Sequence, residues 1–207
     1  MAASGGLREL KKARTRRHIV DTAARLFAER GFEQVTVGDV ARAAEVSPQT
    51  VYNYFRAKED LVTDRDEFVQ EQLSQLIRDR PPGTSPAAAI RPLVLGNIAS
   101  IAEIPAAQWP GEIGYLALIS PTVHRLSLEM TDRQAAVVSR AIIDTTDVTP
   151  GVARLQGIAL AGVFQIIFRE CGQRTRDRQP QQQVADELRV IIEDVLDELD
   201  RWLHRPG

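Results

Sequence analysis

Residues 35–55, VTVGDVARAAEVSPQTVYNYF, contain two helix starts close enough together to dictate the local fold. Thr36 suits a helix N-cap, with Asp39 at the third position as in a capping box. Val35 and Val40 stand where a hydrophobic staple forms. Ser47 offers the next cap, Pro48 occupies the first helical position, and Val46 and Val51 repeat the staple. Only Ala44, Glu45 and Val46 separate the two helices. Helices this short and this tightly joined cannot bury much surface alone, so they need neighbours. Residues 13–30 supply one, through Ile19, Ala23, Leu26 and Phe27, and Gly31 is placed to end that helix. A helix from about Lys58 supplies the other, with the stripe Leu61, Phe68, Val69, Leu73, Leu76 and Ile77.

Apolar residues recur at helical spacing through most of the remaining chain, which predicts an all-α fold. The run RPPGTSP, 80–86, breaks one helix and starts another at about Ala87 that lasts to about Glu103. A second break, PAAQWPGE, spans 105–112, followed by a short helix from Ile113 to Ile119. Ser120-Pro121 and Thr149-Pro150 repeat the cap-plus-proline signal and start helices of roughly 121–145 and 150–170. The polar run 172–183 reads as a loop. The last helix, 184–203, presents Val184, Leu188, Ile191, Ile192, Val195, Leu199, Trp202 and Leu203.

Helix, tight turn, helix is a shape that enters the major groove of DNA. The second helix, 48–54, is then the reading helix. Its residues Thr50, Val51, Tyr52 and Tyr54 are indifferent helix formers, tolerable in a helix selected for contacts. Val51 and Phe55 point inward by spacing, which frees Gln49, Thr50, Asn53 and Tyr54 to face outward. Asn and Gln side chains pair with adenine edges. Hydroxyls and a helix N-terminus, here at Pro48, bind phosphates, and Lys58 suits a phosphate beside the same surface. The alternative is that Tyr52 and Tyr54 are core aromatics and the hydroxyls serve only as local caps.

Charge placement favours a polyanion. Formal net charge is only -2, yet residues 1–60 carry +3 and residues 61–207 carry -5. The first 18 residues contain Arg8, Lys11, Lys12, Arg14, Arg16 and Arg17 against Glu9 alone. A basic end on a mildly acidic body fits one end meeting nucleic acid, or a solubilising tail.

The run from Ile19 to Leu61 resembles the DNA-binding domain of the TetR family of bacterial transcriptional regulators. The resemblance lies in Phe27 to Gly31, in Thr36 to Ala41 (Thr-Val-x-x-Val-Ala), and in Val46 to Leu61 (Val-Ser-x-x-Thr-x-Tyr-x-Tyr-Phe-x-x-Lys-x-x-Leu). It implies a DNA-binding head, residues 1–60, and a helical ligand-binding and dimerisation domain, residues 61–207. It further implies a homodimeric repressor on a near-palindromic operator, released by a small molecule. Matched by position, Thr36, Thr50, Tyr52, Tyr54 and Lys58 approach the DNA backbone, while Gln49 and Asn53 are candidates for sequence readout. The basic segment, with Arg14 and Arg17, resembles extensions laid along DNA. A DNA-bound scaffold acting mainly through a protein partner, without an inducer, is the alternative.

Beyond residue 75 the resemblance rests on helical shape alone. The expected dimer elements are helices 150–170 and 184–203, with Gly157, Ala159, Ala161 and Gly162 permitting close approach and a four-helix bundle across the dyad. A small apolar or amphipathic ligand would lie within 87–170, with Trp109, Tyr115, His124, Met130, Phe164 and Phe168 as candidate contacts. The histidines His18, His124 and His204 lie far apart, and no metal-ligand spacing, nucleophile elbow or phosphate loop occurs, so neither enzyme activity nor a metal or cofactor is expected. One cysteine, Cys171, excludes an intramolecular disulfide. With no signal-peptide pattern and no unbroken apolar run of 18 residues, a soluble, cytoplasmic protein is expected.

Overall fold

The computed structural model describes residues 3–104 and 113–204. Its ten helices are α1 (Ala3–Arg30), α2 (Val37–Ala43), α3 (Pro48–Tyr54), α4 (Asp60–Thr63), α5 (Asp66–Arg78), α6 (Pro86–Ile101), α7 (Ile113–Ile119), α8 (Pro121–Ile143), α9 (Pro150–Arg176) and α10 (Gln181–Leu203), with no strand among the described residues. The all-α expectation holds. Trp109 and the 105–112 break lie outside the described residues.

Two hydrophobic cores organise the chain. The smaller gathers Ile19, Ala23, Leu26, Phe27, Phe32, Val35, Val40, Val51, Phe55 and Leu61, and it also takes in Leu116 of α7 and Val123 of α8. The larger fills the space between α5, α6, α8, α9 and α10. Helix α7 therefore mediates between the two. Its backbone lies directly on α9, because a Cβ at Gly114 or at Gly172 would collide with the other helix. Ser120, buried at the start of α8, accepts from the Val123 N–H at 3.1 Å and donates to Glu33 at 2.6 Å. That bond ties the body to the loop before α2.

Several expected boundaries move. Helix α1 begins at Ala3, ahead of residue 13. The single helix expected over 58–77 is two, α4 and α5. The Asp60 carboxylate accepts from the backbone N–H groups of Arg56 and Ala57, and Asp64 is drawn to Arg16 of α1, whereas Asp66 is held by α8. Phe68, expected in the buried stripe, is 65% exposed. Val69, Leu73 and Ile77 form the inward face, and Phe68 sits one residue, about 100°, off it.

Helix α9 continues to Arg176, through the first part of the expected loop. Arg174 pairs with Glu170 one turn back and with Glu187 of α10 at 3.1 Å, and the Thr175 hydroxyl donates to the Cys171 carbonyl at 2.7 Å. The chain turns only at 177–180, where Arg178 adopts φ 56°. Helix α9 is the one described helix long and apolar enough to cross a membrane by length and composition. Here Ala153, Gly157, Leu160, Phe164 and Ile167 are buried within the body.

Gly157 and Ala161 are corrected. Both are buried inside the chain, and a Cβ on Gly157 would strike the Ser139 hydroxyl and come within 2.5 Å of the Ala135 carbonyl oxygen. The close approach Gly157 allows is that of α9 to α8. Gly162 faces open space, and nearby Leu155 and Ile158 are 55% and 49% exposed.

Candidate nucleic-acid interface

Local chemistry builds α2 and α3. The Thr36 hydroxyl accepts from the Asp39 N–H at 3.1 Å, and Asp39 Oδ2 accepts from the Thr36 N–H at 3.0 Å, completing the capping box. The Ser47 hydroxyl accepts from the Thr50 N–H at 3.0 Å with Pro48 at the first helical position. Between them Glu45 takes φ 55°, which reverses the chain, and the Val46 N–H returns to the Ala41 carbonyl at 2.9 Å.

Bonds from the Thr36 hydroxyl and then the Thr36 N–H, with Arg42 adding to them, hold the Asp39 carboxyl at about 2, below its ordinary 3.8. A depressed pKa stabilises the fold above the ordinary value and loses that contribution as pH falls through the folded value. The start of α2 is therefore expected to fray as pH drops from 3.8 toward about 2. Amide signals of residues 36–40 followed by NMR should show that step, and Asp39→Asn should lack it.

Helix α3 is anchored by Val51, fully buried, and by Phe55 just past its end, 2% exposed. That orientation turns Gln49, Tyr52 and Asn53 outward as exposed side chains, with Thr50 and Tyr54 half-buried. Tyr52 is thus no core aromatic. Gln49 Nε2 donates to Asn53 Oδ1 at 3.2 Å, so the two amides stand aligned on one face. Tyr54 packs against the head core, its ring 6.2 Å from that of Phe55. Thr36 and Pro48, at the two helix starts, are exposed.

Lys58 has an internal task. Its ammonium donates to the carbonyls of Phe32 at 2.8 Å and Val35 at 3.0 Å and lies 4.2 Å from the Phe32 ring centre. It fastens the loop between α1 and α2 to the segment after α3, which competes with a phosphate contact.

The basic segment divides in the same way. Arg8, Lys11, Lys12, Arg14 and Arg17 are exposed along α1. Arg16 instead bonds to Asp64 at 2.6 Å and to the Tyr54 carbonyl at 3.3 Å, with its guanidinium 4.8 Å from the Phe55 ring centre. It clamps the C-terminal end of α3 against α1, a positioning role that sequence reading missed. The available signal was spacing, since Arg16 stands three residues before Ile19 on the inward face.

The candidate ligand contacts are not gathered in one place. Phe164 and the half-buried Phe168 belong to the large core, and Met130 is buried on α8. Tyr115 packs on the head core, and His124 is exposed. A cavity of about 510 Å³ opens instead between the 80–86 loop and the ends of α5, α8 and α10, and none of these residues lines it. Among the described residues no group of three or more His, Cys, Asp or Glu is placed to hold a metal ion.

Residues 19–64 match the family model described as bacterial regulatory proteins, tetR family. The HTH-type transcriptional regulator TcmR of Streptomyces glaucescens is 34% identical over 85 residues, covering 41% of this chain and 38% of that protein. The HTH-type transcriptional regulator AcrR of Shigella flexneri is 28% identical over 130 residues, covering 58% of this chain and 60% of its own length. The matched stretch thus spans less than two thirds of either relative. Among solved structures, NalD of Pseudomonas aeruginosa, the secondary repressor of the MexAB-OprM multidrug efflux pump, matches with a TM-score of 0.58 at 19% identity. That match covers 95% of this chain and 99% of NalD, and at this identity it speaks for the fold. The sequence match to the tetR family of bacterial regulatory proteins is thus confined to residues 19–64, the segment that builds α2 and α3, while the helical fold is shared nearly end to end with NalD.

Proposed function

We propose that this chain is a homodimeric DNA-binding transcriptional regulator, a repressor that leaves a near-palindromic operator when a small molecule binds the body. The head comprises residues 1–60 and the body residues 61–207. The observation that carries the reading is the pose of α3: Val51 and Phe55 lock it down while Gln49, Tyr52 and Asn53 face solvent beside an exposed basic helix. Gln49 and Asn53 read base edges, Thr50 and Tyr52 contact phosphates, and Arg14 and Arg17 extend the backbone contact. Thr36, Pro48 and Tyr54 lie close to the phosphates, and Lys58 supports the surface from behind.

Dimerisation uses α9 and α10. Leu155 and Ile158 on α9, and Val190 (69% exposed) and Ile191 (37% exposed) on α10, form apolar faces suited to a second copy. Release follows if a ligand in the body shifts α7 or the α4–α5 connection, since both touch the head.

Selection of bound sites from a random duplex library at physiological salt tests this. A near-palindrome is the expected outcome, and a folded protein that enriches nothing would count against operator recognition. Gln49→Ala or Asn53→Ala should shift base preference by about 1–3 kcal/mol at the affected position. Thr50→Val or Tyr52→Phe should weaken all sequences alike. Arg14→Ala and Arg17→Ala should each lower the slope of log affinity against log salt by roughly 1.

A further inference from the structure

The cavity of about 510 Å³ lies at the far end of the body from the reading head. Helix α8 sets the separation. Val123 in its first turn belongs to the head core, while Thr145 and Thr146 just past its end line the cavity. The 23 residues of α8 put the two ends about 34 Å apart. The volume falls within the range of small-molecule sites, about 300–1,000 Å³. Its lining combines apolar Pro81, Pro82 and Leu203 with polar Arg80, Thr145 and Thr146.

Charge identifies the occupant. Arg78 is met by Asp144 at 2.8 Å, although Arg140 shares that carboxylate at 3.1 Å. His204 is met by Asp200 at 3.1 Å and reaches the Gly83 carbonyl at 2.9 Å. Arg80 differs, with no carboxylate in ion-pair reach among the described residues. It donates to the Thr84 carbonyl at 3.1 Å, to the Thr145 hydroxyl at 2.8 Å and to the Ile77 carbonyl. Its Nη2 group, with two N–H donors, has no acceptor among the described residues. Burial lowers the Arg80 pKa from its ordinary value, and no neighbouring anion opposes that shift. Asp79, next in the chain, is exposed and does not line the cavity.

We infer that this cavity is a second ligand site, taking a small organic monocarboxylate whose carboxylate meets Arg80 and whose apolar part rests on Pro81, Pro82 and Leu203. A single unmet guanidinium balances a single negative charge, and its planar donors match a carboxylate. A phosphate dianion would set two negative charges against one guanidinium, because Arg78 and His204 already face Asp144 and Asp200. The site includes none of Tyr115, His124, Met130, Phe164 and Phe168, and it is independent of the DNA-binding reading. Because the 80–86 loop, α8 and α10 meet here, an occupant clamps the C-terminal end of α10 to the body.

Calorimetric titration of the whole chain with benzoate, and separately with inorganic phosphate, tests the inference. Benzoate is expected to bind, with NMR shifts at the Thr145 and Thr146 amides. Arg80→Gln should weaken it about tenfold or more. Thr146→Val should weaken it less, and Arg91→Gln, on the surface of α6, should leave it unchanged. Circular dichroism establishes that each variant is folded, and if Arg80→Gln is not, Arg80→Lys, which keeps the charge but loses the planar fork, takes its place and should still bind more weakly. The inference is overturned by no benzoate binding at millimolar concentration, by phosphate binding in preference, or by benzoate binding that the Arg80 substitution leaves intact.

Discussion

Phe55→Ala should destabilise the DNA-binding head by about 3–5 kcal/mol and abolish binding to any duplex. The ring is 2% exposed and closes the small core beneath α3. Three losses combine. A cavity opens under Val51, the Arg16 guanidinium loses the ring it covers at 4.8 Å, and the C-cap residue of α3 loses its anchor. Urea unfolding followed by circular dichroism, with fluorescence anisotropy on labelled DNA, measures both effects. Tyr52→Ala is the control. Tyr52 is 52% exposed, so stability should change by no more than about 0.5 kcal/mol while DNA affinity falls. Equal destabilisation by the two substitutions would show that α3 does not present the face described here.

The second large effect is expected at Asp66, 3% exposed at the start of α5. Its carboxylate accepts from Arg133 Nε at 2.8 Å, Gln134 Nε2 at 3.0 Å and Gln70 Nε2 at 3.0 Å. Arg133 and Gln134 belong to α8, so one side chain joins α5 to the helix that reaches from head to body. Asp66→Ala strands the buried Gln134 amide, whose Oε1 already lacks a partner. The cost should be about 3 kcal/mol, at the lower end for a broken buried pair because Arg133 can turn to water. Asp66→Asn keeps the size and one acceptor and should cost less. Thermal unfolding of the three proteins gives the order, and loss of the α5–α8 link should also blunt any effect of a body ligand on DNA binding.

These two residues separate what was legible in the sequence from what was not. Phe55 points inward by its spacing from Val51, and it is buried in the head core. The caps at Thr36, Ser47 and Ser120 were legible for the same reason. Each is a bond between residues three apart, so four consecutive letters contain the whole interaction. Asp66 carried no such signal. Its partners on α8 lie 67 and 68 residues away.

The candidate site divides along the same line. The outward set Gln49, Tyr52 and Asn53 followed from helical period once the inward residues were known. Arg16 and Lys58 looked like members of a basic surface, and the fold uses both as internal ties across 48 and 23 to 26 residues of chain. A long side chain with a fixed charge serves either purpose, and only the position of a distant carbonyl or carboxylate decides which.

By itself, the sequence determined that the chain is helical, where most helices start, and that two short ones form a helix-turn-helix, because caps, staples and apolar periodicity act within one or two turns. Tertiary structure alone decided that Gly157 serves packing against α8, that α7 joins the two cores, and that an unmet arginine lines a cavity between the 80–86 loop and α8. Each of those depends on which distant helix arrives alongside, and close packing selects that partner by shape across the whole chain.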